Sequence, residues 1–239
     1  MGRIIAIGGG ELSDTKKLNE YAIKLSGKEK PNLLFIGTAS HDAPGYIENI
    51  HNAFERLNCV VKALKLTDEK CGENEIDALL SWADIIYVGG GDTRTMMEIW
   101  KEYGVDRKLK HIYEQDEAVL MGLSAGAICW FNCGHSDSEA FTGKEDWSYI
   151  FVDGMLDIFH YALCPHYNEK GRESFDAMLK EKDMPGIALE NQTAFVENNG
   201  EKYIIRENND VRAYFLQYKY GQLEKTEMGE KYGYKNKIS

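Results

Sequence analysis

The stretch that decides the fold is Ala118–Phe131, AVLMGLSAGAICWF. An apolar run stops at Gly122-Leu123-Ser124-Ala125-Gly126, and a second, Ala127 to Phe131, follows at once. A short apolar run closed by glycine reads as a buried strand, and the residues after it read as a helix. Gly-x-Ser-x-Gly between strand and helix is the nucleophile-elbow pattern. Such a turn is sharp, so the serine's neighbours must be small enough for backbone to approach. Gly122, Ala125, Gly126 and Ala127 meet that demand. The hydroxyl is then held at the carboxyl end of a sheet, where α/β folds place their ligands. The following helix points its N-terminus there, which favours developing negative charge. The same residues also suit a serine N-cap with glycines serving the turn, so the motif needs supporting residues elsewhere.

Working outward, short apolar runs alternate with helical patterns. RIIAIG (3–8), LLFI (33–36), the alternating VVKALKL (60–66) and ADIIYV (83–88) read as strands. A helix opens at Ser13, another spans Tyr46 to Leu57, and two more cover Ile76 to Trp82 and Thr93 to Tyr103. Continuous apolar strands alternating with helices predict a mostly parallel α/β sheet with helices on both faces. Beyond Pro185 the texture changes: GIALE, TAFVEN, KYIIRE and RAYFLQY are short strands separated by turn residues. These predict an antiparallel meander that completes the same domain. No linker or repeat divides the chain, so residues 1–239 are read as one domain. The polar Lys/Gly-rich segment 225–239 is expected to be a loosely held tail.

The totals narrow the function. The chain has 239 residues and a net charge of −11, with 28 Lys and Arg against 39 Asp and Glu. That balance argues against a nucleic-acid partner, which requires a basic face. No apolar run approaches the roughly 20 residues of a membrane span. The apolar run after Arg3 is too brief for a signal-peptide core. The five cysteines (59, 71, 129, 133, 164) are odd in number and irregularly spaced, which argues against a disulfide framework. Cys129 and Cys133 alone make a poor zinc site, and neither metal nor cofactor is expected. A cytoplasmic protein without membrane association fits these features.

A serine nucleophile needs a base, usually a histidine oriented by a carboxylate. Of six histidines, His166 stands out. It follows Tyr161–Cys164 and Pro165, a strand end with a rigid stop, which is how a sheet presents an imidazole at its rim. Gly89-Gly90-Gly91 after the strand at 83–88 lets backbone amides approach a ligand. One of those amides with that of Ala125 would form an oxyanion hole. The same run also serves as a plain strand-to-helix turn capped by Asp92 or Thr93. Gly8-Gly9-Gly10 is read as a structural turn. Neither run has dinucleotide or P-loop spacing.

Taken together, these residues resemble the dipeptidase E and cyanophycinase family of serine peptidases. The likeness runs roughly from Ile4 to Val196 and carries IAIGGGE, LLFIGTAS, DIIYVGGGDT, GLSAGAICWF and CPHYN in the family's order. It implies a flavodoxin-like fold of the class I glutamine-amidotransferase type. Amidotransferases carry cysteine at the elbow, where this chain has Ser124. The resemblance implies Ser124 as nucleophile, His166 as base, and Gly90 or Gly91 with Ala125 as oxyanion donors. It places the third member in the loop GHSDSEAF, where Asp137 and Glu139 both qualify. The implied substrate is a small peptide. Dipeptidase E resembles a lock for N-terminal aspartate, using a basic residue expected within GIALENQTAF. That segment has Glu190 and no Arg or Lys, which argues against Asp-X specificity and offers Glu190 to a substrate ammonium. An esterase or amidase with the same triad, or a binding module on the same scaffold, are the competing readings.

Overall fold

A computed structural model describes residues 2–67 and 71–229. The strands, in chain order, are β1 (Arg3–Ile7), β2 (Asn32–Ile36), β3 (Val60–Leu64), β4 (Ile85–Val88), β5 (Val119–Leu123), β6 (Phe131–Ser136) and β7 (Ile150–Asp153). They continue with β8 (Phe159–Pro165), β9 (Gly186–Leu189), β10 (Thr193–Asn198), β11 (Glu201–Arg206), β12 (Ala213–Lys219) and β13 (Gln222–Glu227). The helices are α1 (Lys16–Ser26), α2 (Pro44–Glu55), α3 (Glu73–Trp82), α4 (Thr93–Tyr103), α5 (Val105–Gln115), α6 (Ala125–Ile128) and α7 (Ser174–Met178).

Two sheets result. The first has order β11-β10-β1-β5-β4-β2-β3, with β1 to β5 all parallel and the β10–β11 hairpin added antiparallel beside β1. The second has order β13-β12-β9-β8-β6-β7, parallel only through β6, β8 and β9. Alternate residues of the first sheet serve different cores. Ile5, Ile7, Leu33, Phe35 and Tyr87 pack with Leu18 and Ala22 of α1 and Ile50 and Phe54 of α2. Ile4, Ala6, Leu34, Ile86 and Val88 pack with α3, α4 and α5, and that core continues into Phe131, Phe159, Leu163 and Phe215 of the second sheet. Every central strand is thus buried on both sides, as continuous apolar runs require. The outer face of the second sheet is closed by Phe175 of α7 and by Leu179.

Three expectations are corrected. The C-terminal strands are not one meander: β9 joins the second sheet, the β10–β11 hairpin returns to the first, and β12–β13 go back to the second. Local turn chemistry sets each hairpin, but it does not say which free edge will take it. The helix after Ser124 is only four residues long, because Trp130 and Phe131 are fully buried and feed β6. Lys225–Glu227, expected in a loose tail, belong to β13, where Lys225 pairs with Leu216. Met228 after them is buried and donates its N–H to Ala213 O, and residues 230–239 lie outside the described residues. All five cysteines are free, and no helix among the described residues is long and apolar enough to cross a membrane.

Candidate active site

Ser124 sits between β5 and α6 with φ 56° and ψ −113°. That region is sparsely populated for a residue with a side chain and costs about 1–3 kcal/mol, which the surroundings must offset. They do so by locking both sides of the residue. The Ser124 N–H donates to Ile7 O at 3.0 Å, and its carbonyl accepts from Ala127 and Ile128 N–H at 2.9 Å each. The flanking glycines are sterically required. A Cβ on Gly122 would lie 2.0 Å from Gly126 O, and one on Gly126 would lie 2.1 Å from Val88 O.

The end of β8 brings His166 to this serine. His166 Nε2 is 2.6 Å from Ser124 Oγ. On the other side of the ring, Nδ1 is 2.8 Å from Asn191 Oδ1, in the turn between β9 and β10. Asn191 Nδ2 donates to Glu169 Oε1 at 2.8 Å, and that same oxygen is 3.5 Å from His166 Nδ1. The amide's orientation follows from its donation to the carboxylate, and it turns Oδ1 toward the ring. A carbonyl oxygen only accepts, so Nδ1 carries the proton and Nε2 keeps its lone pair for the serine. Burial lowers the His166 pKa, and the Arg172 charge lowers it further. Asn191, Glu169 and Asp137 oppose this. The imidazole is therefore neutral at neutral pH, as a base must be.

The cleft over this pair measures about 520 Å³ and is lined in part by Gly10, Glu11, Asp14, Tyr46, Gly90 and Gln192. Gly90 is the glycine nearest the serine: a Cβ there would lie 3.3 Å from Ser124 Cβ. Its N–H donates to Tyr46 Oη through a long 3.4 Å bond. The Tyr46 pKa is raised mainly by burial, with the Gly90 N–H opposing and the Glu11 charge adding. Gly91 also lines the cleft, but a Cβ there would meet Ala39 O at 2.1 Å, so close packing alone demands glycine. Ala125 opens α6, where an N–H has no intrahelical partner. A larger hollow of about 800 Å³ beside α3 and α5 is lined by residues such as Asp77, Arg107 and His111 and shares no lining residue with the cleft over Ser124. Chemistry rather than volume makes the smaller cleft the candidate site.

Three sequence-expected residues are placed elsewhere. Asp137 lies just past β6 with its carboxylate 3.5 Å from Arg172, a buried cation that needs a counter-charge, and it reaches His166 only through space. Glu139 sits in the 3₁₀ turn Ser138–Thr142. Among the described residues neither carboxylate hydrogen-bonds to His166. Glu190 accepts from the Arg212 backbone N–H at 2.6 Å and does not line the cleft. Of the other histidines, His135 is fully buried in β6 against Ser174, and His160 is exposed beside Asp157.

Sequence reasoning missed Asn191, Glu169, Tyr46 and Gly9. A Cβ on Gly9 would lie 2.2 Å from His166 Nδ1 and 2.1 Å from Asn191 Oδ1, so the first glycine run makes room for the contact between His166 and Asn191. The available signals were the apolar strand ending in that glycine run and a polar turn, ENQ, after a buried strand.

The profile of peptidase family S51 matches residues 4–205. The chain belongs to peptidase family S51. It is 38% identical over 177 residues to the uncharacterized peptidase YgaJ of Bacillus subtilis (strain 168), covering 72% of each chain. To the uncharacterized peptidase Lmo0363 of Listeria monocytogenes it is 31% identical, over 62% of this chain and 70% of that one. Its fold is shared with a crystal structure of a protein assigned as peptidase E from Listeria monocytogenes EGD-e. There the TM-score is 0.65 at 20% identity, over 86% of this chain and 98% of that one. A peptidase from an acI-B1 Actinobacterium has a TM-score of 0.69 at 18% identity, over 97% and 95%. This S51 member is accordingly a peptidase with a mixed α/β, flavodoxin-like fold.

Proposed function

We propose that this peptidase is a serine-type hydrolase of small peptides, a cytoplasmic dipeptidase-like enzyme working through Ser124 and His166 with Asn191 as the orienting group. The observation that carries this reading is the 2.6 Å contact between His166 Nε2 and a serine held in the strained elbow conformation. Ser124 Oγ attacks the peptide carbonyl while its proton passes to Nε2. The tetrahedral oxyanion is received by the N–H groups of Gly90 and Ala125. Tyr46 Oη leaves the Gly90 amide readily, because the bond it gives up is long. His166 then returns the proton to the leaving amine, and water reverses the sequence to release the acid.

A neutral asparagine fixes the ring but stabilises the imidazolium less than a carboxylate would. Glu169 supplies the charge from 3.5 Å and holds the amide in place. The third position therefore divides two duties, orientation by Asn191 and charge by Glu169. A cleft of about 520 Å³ accommodates only a short peptide. Treatment with a fluorophosphonate followed by peptide mapping is expected to label Ser124. A dipeptide and tripeptide library is expected to be hydrolysed, and Ser124→Ala to lose turnover on the order of a million-fold. Hydrolysis of aryl esters without any peptide cleavage, or absence of label at Ser124, overturns the proposal.

A further inference from the structure

The imidazole at the site stands on a backbone conformation that few residues adopt. His166 has a φ of 148°, in the region that favours glycine. A residue with a side chain persists there only where its surroundings hold it. Both chain neighbours of His166 are tied to one residue of β9. Pro165 is in register with Leu189, and the Tyr167 N–H donates to Leu189 O at 3.1 Å. The two consecutive rings then part. His166 lines the catalytic cleft, while Tyr167 packs on the separate core of Cys164, Phe175 and Leu216.

Three elements that do not line the cleft converge on the Tyr167 side chain. Its hydroxyl donates to Asp176 Oδ1 of α7 and accepts from Lys225 Nζ of β13. A phenol has one proton to give and lone pairs to receive, so both bonds are made together. Burial first, and the bond to Asp176 second, raise the phenol pKa, so the donated proton stays on Tyr167. Lys225 Nζ also lies 4.1 Å from the centre of the Tyr167 ring and 4.6 Å from that of Tyr214 in β12. The two rings are themselves 5.6 Å apart. Tyr218 of β12 donates to Asp176 O at 3.0 Å and fixes α7 from the same hairpin. The Lys225–Asp176 ion pair, 3.8 Å between partly exposed side chains, adds little by itself. The ring contacts and the shared hydroxyl make the clamp.

The bond from Tyr167 to Asp176 closes a loop over residues 167–176, and that loop carries Glu169, which holds Asn191. Inside it the Glu169 N–H donates to His166 O, and the Arg172 N–H donates to Glu169 O. Release of residue 167 would let the His166 φ relax toward ordinary values. The relaxation would swing Nε2 away from Ser124 Oγ, which it meets at 2.6 Å. We propose that Tyr167 is a positioning residue: gripped by Asp176, Lys225 and Tyr214, it holds His166 in its strained conformation and so keeps the imidazole on Ser124. This rests on the serine-peptidase reading and extends it. It ties the β12–β13 hairpin to the reaction, although no residue of that hairpin lines the cleft.

The test compares the full native chain with Tyr167→Phe, which keeps the ring and loses both hydroxyl bonds, and with Lys225→Met. Lys219→Met, which cuts the Lys219–Glu224 pair of the same hairpin, is the control. Both test variants are expected to lower kcat for a hydrolysed dipeptide about tenfold with KM within about twofold, because orientation is lost and binding is not. The control is expected to match the native chain. Native kcat in folded Tyr167→Phe, a loss confined to KM, or an equal loss in the control overturns the proposal. Should Tyr167→Phe not fold, kcat of Lys225→Met decides in the same way. The rate of fluorophosphonate labelling at Ser124 is expected to fall with kcat. Adding Tyr167→Phe to His166→Ala is expected to slow labelling no further, since the effect runs through His166, and an additive loss overturns the proposal. A last reading needs no turnover. The proton on His166 Nδ1, identified in NMR spectra by its absence from His166→Ala, is expected to exchange with water at least about tenfold faster in Tyr167→Phe. An unchanged exchange rate sinks this inference alone. Faster exchange in a protein whose native chain neither cleaves peptides nor takes the label sinks the peptidase reading alone.

Discussion

At the scale of single residues, Asn191 and Asp137 make the sharpest contrast. Asn191 touches the imidazole, and Asp137 is held by Arg172. Asn191→Leu keeps bulk and removes both hydrogen bonds, so the ring loses its tautomer and its orientation. Turnover is expected to fall roughly a hundredfold or more, the scale of general-base catalysis. Asp137→Asn is expected to cost far less, and equal losses in kcat would show that Asp137 acts directly. Glu169 has its own signature. Its charge opposes the burial and the Arg172 field that lower the His166 pKa. Glu169→Gln removes that opposition, so the pKa falls further below its ordinary value of about 6.5. In the proposed mechanism the base is neutral imidazole, so the acid limb of kcat/KM is expected to move to lower pH. Turnover on the plateau falls as well, because the imidazolium formed during reaction is less stabilised. A limb that stays in place, or moves up, contradicts the charge role. Ser124 and His166 were legible because each sits in a local pattern with a mechanical reason: an elbow and a strand end. Asn191 was not, since asparagine is common in turns and nothing in ENQ distinguishes a ring-orienting amide from a turn residue. Only the pairing of β10 with β1, itself beside β5, carries that turn across to the serine.

At the scale of elements, the parallel strands and their helices followed from the sequence because period and run length are local properties. Thr93–Tyr103 is helical over the expected residues, and its Asp92 side chain caps it by accepting from the Arg94 N–H. Strand partnership is not local, and so the second sheet and the division of the C-terminal hairpins were not legible. The elbow is where local and non-local demands meet, and glycine substitutions expose this. Gly126→Ala would press a methyl into the Val88 carbonyl, which is backbone of a fully buried strand and cannot yield cheaply. The expected cost is about 1–3 kcal/mol, the usual penalty for overpacking, and the displaced serine should lose activity too. Gly45 provides the opposite case. It lies in the first turn of α2, a Cβ there meets nothing within 4 Å, and its φ is not positive. Gly45→Ala is expected to gain about 0.5–1 kcal/mol from reduced freedom of the unfolded chain. Urea midpoints moving in the same direction for both variants would refute this account of the elbow.

At the scale of the whole molecule, a buried imidazole outside the candidate site makes stability depend on acid. His135 is fully buried in β6, stacked on Tyr149, edge-on to Phe151 and Phe175, and bonded through Nε2 to Ser174 Oγ. Burial, aided by the nearby Arg172 charge, pushes its pKa from 6.5 down to about 3. In the unfolded chain the ring regains an ordinary pKa, so between those two values the unfolded state binds a proton that the folded state refuses. Stability is therefore complete above about pH 6.5 and is lost as pH falls from there toward 3. A shift of that size corresponds to a loss on the order of 4 kcal/mol by the bottom of the window, a large share of a domain's net stability. His166, whose pKa is also lowered, contributes with the same sign. His135→Phe keeps the aromatic stacking and removes the titration, and Ser174 Oγ retains its bond to Gly171 O. The variant is expected to be less stable than the native chain at pH 7, where the lost hydrogen bond counts, and to close the gap as pH falls. Urea unfolding at pH 7, 5.5 and 4.5 measures this directly. Two proteins losing stability in parallel over that range would mean that the buried imidazole is not what acid attacks.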